Sequence, residues 1–78
     1  MHLVIAKVNE TLFEGEAYSL NAPGSAGEMT VLAHHEPLIT TLKKGDLRVH
    51  IAQGDEPKLF AIEGGVLEVN AQGATVIL

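Results

Sequence analysis

The residues with the greatest chemical potential lie in one short segment. His34, His35 and Glu36 are consecutive, and Glu28 lies seven positions before His35. Imidazole and carboxylate groups bind zinc, but a structural site needs four ligands and a catalytic site about three. Adjacent histidines in a strand point to opposite faces, so both would bind one ion only in a bent loop. An exposed polar loop that ends at Pro37 is the simpler interpretation, and we predict no metal. A small metal-dependent enzyme that uses His34, His35 and Glu28 stays as an alternative.

Other catalytic motifs are lacking. Ser19 and Ser25 are the only serines, neither stands in a Gly-x-Ser-x-Gly elbow, and the chain has no cysteine. The glycine-containing segment 24–27 lacks the Gly-Lys-Ser/Thr ending of a phosphate loop, and no helix pattern follows it. We therefore predict a protein that is not an enzyme and needs no cofactor.

Length and charge narrow the class of partner. The chain has 78 residues, which corresponds to one domain, and a net charge of −5 from ten acidic and five basic side chains. An acidic balance argues against nucleic acid. No apolar run exceeds four residues, whereas a membrane helix needs about 20. Three of the five basic side chains, Lys43, Lys44 and Arg48, form a cluster that would either dock an acidic partner or protect a strand edge from aggregation.

Short strands would position these residues. The clearest alternation places Leu47, Val49 and Ile51 on one face and Arg48 and His50 on the other. Turn residues crowd segment 21–27 and interrupt the chain at regular intervals. These patterns predict an all-β fold, a small antiparallel β-sandwich (a flattened barrel) of about eight to ten short strands. The predicted strands are 3–8, 16–20, 28–32, 38–42, 47–51, 58–63, 66–69 and 74–78.

The ordered combination of several motifs resembles one known family. Gly27-Glu28 opens an apolar strand, His35 and Pro37-Leu38 follow, and the next strand ends at Lys43 and Gly45. Segment 61–69 contains Gly-Gly-apolar-apolar-Glu-Val. Together these motifs are similar to the N-terminal β domain of the epsilon subunit of F-type rotary ATP synthase, over nearly all 78 residues.

The resemblance implies a function and a set of contact residues. It implies a non-catalytic central-stalk subunit that docks on the gamma subunit and on the polar loops of the c-ring, and couples proton or sodium flow to ATP synthesis. The resemblance assigns that interface to Glu28 and His35 and extends it to His34, Glu36 and Lys43. The subunit would be peripheral to the bacterial inner membrane, on its cytoplasmic face. Gamma docking should use an apolar patch, with Leu12, Phe13, Leu38 and Leu42 as candidates.

Two departures from the family pattern qualify the resemblance. The loop reads Ala33-His34-His35-Glu36 where the family favours Pro, Gly or Asn, His and Ala. Epsilon subunits typically continue into a helical hairpin, and we expect residues 1–78 to form a single epsilon-type β-sandwich domain without it. The main alternative function is an unrelated β-sandwich binding adaptor, which would not bind a gamma subunit.

Overall fold

The computed structural model describes all 78 residues, and it contains nine β-strands and no helix. It therefore has no helix that could cross a membrane. The strands are short because turn residues recur every few positions along the chain. Their bounds are β1 His2–Lys7, β2 Glu10–Glu16, β3 Ser19–Gly24, β4 Gly27–Leu32, β5 Leu38–Leu42, β6 Gly45–His50, β7 Lys58–Ile62, β8 Gly65–Asn70 and β9 Gly73–Ile77.

The strands form two layers joined at one corner. The first layer has the order β2-β1-β9-β8-β5, and the second has the order β4-β3-β6-β7. The layers meet where Gly24 of β3 pairs with Leu42 of β5. All neighbouring strands are antiparallel except β1 and β9, which are parallel. The predicted antiparallel β-sandwich is confirmed, with this one parallel pair as an addition. Parallel pairing is available to β1 and β9 because a long crossover separates them in the chain.

The core lies between the layers and contains fourteen buried apolar residues. The core is built from strands whose side chains point alternately inward and outward: Leu47 and Val49 are fully buried, whereas Arg48 between them is exposed. The prediction for Ile51 was wrong, since this residue lies beyond the end of β6 and its exposed fraction is 43%. The largest fully buried side chains are Leu3, Ile5, Leu20, Leu47, Leu67, Val31, Val49 and Val76.

Two sequence predictions near the start of the chain were wrong. Residues 16–20 were predicted as one strand and 21–27 as a turn, but β2 ends at Glu16 and β3 continues to Gly24. Packing explains the difference, because residues 22–24 are all buried. A Cβ on Gly24 would lie 2.7 Å from the carbonyl oxygen of Gly27, so this crowded corner requires a residue without a side chain.

The register of the paired strands shows which strand ends and loops lie at each of the two ends of the sandwich. We call one the histidine end: it contains residues 1–2, 16–18, 32–37, 50–57 and 70–73, and all four histidines lie there. The opposite end, which we call the lysine end, contains residues 7–10, 24–27, 42–45 and 62–65. Lys7, Lys43 and Lys44 lie at the lysine end.

Candidate functional site

The structure divides the predicted contact residues between the two ends. Glu28 lies near the start of β4, and the loop that carries His34 and His35 begins after the last residue of β4. The strand from Glu28 to Leu32 has a length of about 13 Å at about 3.3 Å per residue. Lys43 lies at the same end as Glu28. The amide of Lys43 donates to the carbonyl oxygen of Pro23 (2.9 Å), and Pro23 is paired with Glu28.

This separation removes the geometric basis of the metal-dependent alternative. That alternative requires His34, His35 and Glu28 around one ion, but the strand length keeps Glu28 away from the two histidines. No group of three or more histidine, aspartate or glutamate side chains is placed to hold a metal ion. The residues therefore form two separate polar surfaces.

Glu28 forms an ion pair that the sequence did not reveal. Its Oε1 lies 3.3 Å from Nη1 of Arg48, which reaches across from β6. Both side chains are about half exposed, so the pair stabilises the fold by less than about 1 kcal/mol. Arg48 therefore belongs to the outer face of the second layer, whereas Lys43 and Lys44 are exposed in the turn after β5.

The loop after β4 is a tight turn with an unusual backbone. The amide of His35 donates to the carbonyl oxygen of Leu32 (3.1 Å), and His34 between them has φ of 67°. A residue with left-handed backbone angles at the third of the four turn positions is typical of a type II turn, and Gly or Asn is favoured at that position. Nδ1 of His35 lies 2.8 Å from the carbonyl oxygen of Glu36, and because a carbonyl only accepts, Nδ1 donates.

The first layer exposes an apolar surface on its outer side. Ile39, Val66 and Ile77 have exposed fractions of 73%, 38% and 53%. Val66 pairs with Ile77, and Ile77 pairs with Ala6, so these three side chains are neighbours across β8, β9 and β1. Ile39 pairs with Glu68 and lies diagonally from Val66 on β5. We call the surface formed by Ala6, Ile39, Val66 and Ile77 the apolar face.

The apolar residues that the sequence suggested for docking lie elsewhere. Leu42 is buried, and Leu12, Phe13 and Leu38 pack partly against the core. In the sequence, the apolar face was indicated by strands in which apolar and polar residues do not alternate. In β5, β8 and β9 two apolar residues stand side by side, as in Val66-Leu67, which indicates a strand that is covered on both faces.

Comparisons with known proteins agree with this architecture. The family model described as ATP synthase, Delta/Epsilon chain, beta-sandwich domain matches residues 1–78. The chain is 38% identical over 77 residues to the ATP synthase epsilon chain of Delftia acidovorans, covering 99% of this chain and 55% of that one. It is 36% identical to the ATP synthase epsilon chain of Caulobacter vibrioides and covers 87% of it. The chain thus spans about half the length of most of these curated relatives.

Solved structures share the fold. One chain in the cryo-EM structure of the Euglena gracilis mitochondrial ATP synthase superposes with a TM-score of 0.85 at 28% identity, covering 96% of this chain and 48% of that one. A chain in the central stalk and c-ring structure of the Tetrahymena thermophila mitochondrial ATP synthase has a TM-score of 0.78 at 13% identity, covering 97% and 60%. The similarity to the Tetrahymena chain shows a shared fold only.

Proposed function

Because the chain belongs to the delta/epsilon family of ATP synthase β-sandwich domains, we propose that it is a non-catalytic central-stalk component of an ion-translocating ATP synthase. It would link the rotating shaft to the membrane ring, so that proton or sodium flow is coupled to ATP synthesis. The observation that carries this proposal is a compact sandwich with an apolar face on one layer and an exposed charged end. A close-packed body of this kind has low compressibility and therefore transmits strain.

The gamma subunit would cover the apolar face. Monomeric proteins rarely expose large contiguous apolar patches, and interfaces combine an apolar centre with a polar rim. Ile39, Val66 and Ile77 supply the apolar contacts, and Glu68 and Thr41, which pair with Ile39 and Val66, supply polar contacts among them. This assignment replaces the candidates drawn from the sequence alone.

The loop with the histidines would extend that contact. His34, His35 and Glu36 stand immediately before β5, and Ile39 is the second residue of this strand. The loop therefore borders the apolar face. We assign these three residues to the rim of the gamma interface.

The lysine end would face the polar loops of the c-ring. Lys43 and Lys44 are exposed there, and Glu28 lies beside them with only a weak partner in Arg48. Exposed charges can pair with polar loops at a membrane surface without entering the lipid. Residues 1–78 would act as one domain, peripheral to the cytoplasmic face of a bacterial inner membrane and held there through the complex.

Calorimetry with the gamma subunit encoded in the same genome tests the docking assignment. We expect a stoichiometric complex whose affinity falls about tenfold or more in Ile39→Ser, because central apolar contacts dominate interface energy. Leu59→Ser is the matched control, since Leu59 is 59% exposed on β7 of the other layer. Equal losses in both variants would contradict the assignment. Absence of binding by the unsubstituted protein would favour the unrelated binding adaptor.

The c-ring assignment has its own experiment in the assembled synthase. Glu28→Gln and Lys43→Gln should lower ion-driven ATP synthesis while calorimetric affinity for gamma stays unchanged. His35→Ala should do the reverse and weaken the gamma complex. A loss of several kcal/mol in the stability of the isolated domain would instead show that these side chains are structural, because exposed substitutions usually cost under about 0.5 kcal/mol.

A further inference from the structure

A second apolar surface lies at the histidine end, next to the loop of His34 and His35, and shares no residue with the apolar face. Tyr18, Leu32 and Ile51 have exposed fractions of 43%, 45% and 43%. They line a groove of about 440 Å³ together with Met1, Glu16, Ala17 and Ala33. This volume is within the range of about 300 to 1,000 Å³ found for binding clefts.

Backbone hydrogen bonds fix the walls of this groove. The amide of Tyr18 donates to the carbonyl oxygen of His50 (2.7 Å), and the amide of Ala17 donates to the carbonyl oxygen of Met1 (2.9 Å). The carbonyl oxygen of Leu32 accepts from the turn that follows it. These bonds join three separate segments of the chain, so the groove is formed before any partner arrives. Preformed surfaces lose less conformational entropy on binding.

The loop that carries Ile51 is held by a carboxylate. Oδ2 of Asp55 accepts a hydrogen bond from the amide of Ala52 (2.9 Å), and Oδ1 of Asp55 lies 3.4 Å from Nδ1 of His50. Oδ1 is buried and has no hydrogen-bond partner. These contacts fix Ile51 at the border of the groove.

The histidine end, where the groove lies, is acidic. The segments of the histidine end contain four carboxylates, at Glu16, Glu36, Asp55 and Glu56, and no lysine or arginine. Glu16 lines the groove and is 79% exposed. The amino group of Met1 lies 3.5 Å from Oε1 of Glu16 and offsets part of this charge. The electrostatic complement of this surface is a cationic segment.

From the apolar lining and the acidic character of the histidine end we infer that this groove binds a peptide segment in which large apolar side chains are flanked by lysine or arginine. Its apolar side chains pack between Tyr18, Leu32 and Ile51, and its cations face Glu16. This inference does not depend on the assignments of gamma and the c-ring.

Intrinsic fluorescence gives a local test, because Tyr18 is the only tyrosine and the chain has no tryptophan. The probe is the blocked peptide Lys-Lys-Leu-Leu-Lys-Lys, and the matched peptides are Glu-Glu-Leu-Leu-Glu-Glu and Lys-Lys-Ser-Ser-Lys-Lys. We expect a saturable change in tyrosine emission with the first peptide alone. Amide chemical shifts should change at Tyr18, Leu32, Ala33 and Ile51 and not on the apolar face.

Variants locate the binding site. Leu32→Ser and, as a second variant, Ile51→Ser should each weaken binding about tenfold, Glu16→Gln should weaken it a few-fold, and Leu59→Ser should not change it. Circular dichroism first establishes that each variant is folded. Equal binding of the acidic peptide, no saturable binding of the basic one, or an unchanged affinity in both folded serine variants would overturn the inference. Concentration-dependent shifts at the groove without peptide, with dimers in sedimentation, would assign it to a second copy and also overturn it.

Discussion

Replacing His34 by glycine should stabilise the domain. His34 is exposed and has φ of 67°, in the left-handed region that disfavours residues with a Cβ. That conformation costs an L-residue about 1–2 kcal/mol, and glycine loses about 0.5–1 kcal/mol more chain entropy on folding. The difference predicts that His34→Gly raises the free energy of unfolding by roughly 0.5–1 kcal/mol.

Urea and thermal unfolding of the 78-residue chain, followed by circular dichroism, measure this gain. For a domain of this size we expect an increase in Tm of roughly 2 to 8 °C. His34→Ala is the control, because alanine removes the imidazole but keeps the Cβ and therefore the backbone cost. If His34→Gly is no more stable than His34→Ala, the turn is not strained at this residue and the reasoning is refuted.

Two further pairs of substitutions test the packing. Val49→Ala should lower the free energy of unfolding by about 1–4 kcal/mol because Val49 is fully buried, whereas Ile51→Ala should lower it by less than about 1 kcal/mol. Equal effects in urea unfolding would argue against the end of β6 at His50. Gly73→Ala should lower the free energy of unfolding by more than about 3 kcal/mol, because a Cβ there would clash with the carbonyl oxygen of His2 in the paired strand. Gly54 has φ of 83° and open space around it, so Gly54→Ala should lower the free energy of unfolding by only about 1–2 kcal/mol. Similar Tm values for these two glycine variants would contradict the close pairing of β1 and β9.

Turn residues between short apolar runs and, in β6 and β7, the alternation of apolar and polar residues predicted the second half of the fold well. The strands from residue 38 onward were found close to their predicted bounds. The start of the chain was harder, since β3 ends in Asn21-Ala22-Pro23-Gly24, which are turn formers by local preference. Tertiary packing at the corner with β5 overrides that preference, and a single sequence does not display such long-range contacts.

Parts of the candidate site were readable in advance and parts were not. A strand over 28–32 already implied that Glu28 and His35 lie more than about 10 Å apart. The family's preference for Gly or Asn where this chain has His34 was a sign of positive φ. The ion pair of Glu28 with Arg48 and the groove at the histidine end depend on which strands become neighbours. The period-two pattern of a strand shows which of its side chains share a face, but it does not show which strands become its neighbours.

The parallel pairing of β1 with β9 has a consequence for biosynthesis. On the ribosome, β1 emerges before the other strands of this domain and must wait for residues 73–77 before it has a neighbour other than β2. An isolated two-stranded hairpin is marginally stable in water, so Leu3 and Ile5 stay uncovered while the rest of the domain is translated. Such non-local closure is typical of slow-folding β proteins, which fold over milliseconds to seconds. The nascent chain is therefore most open to aggregation or chaperone capture through its N-terminal hairpin, until the last strand docks.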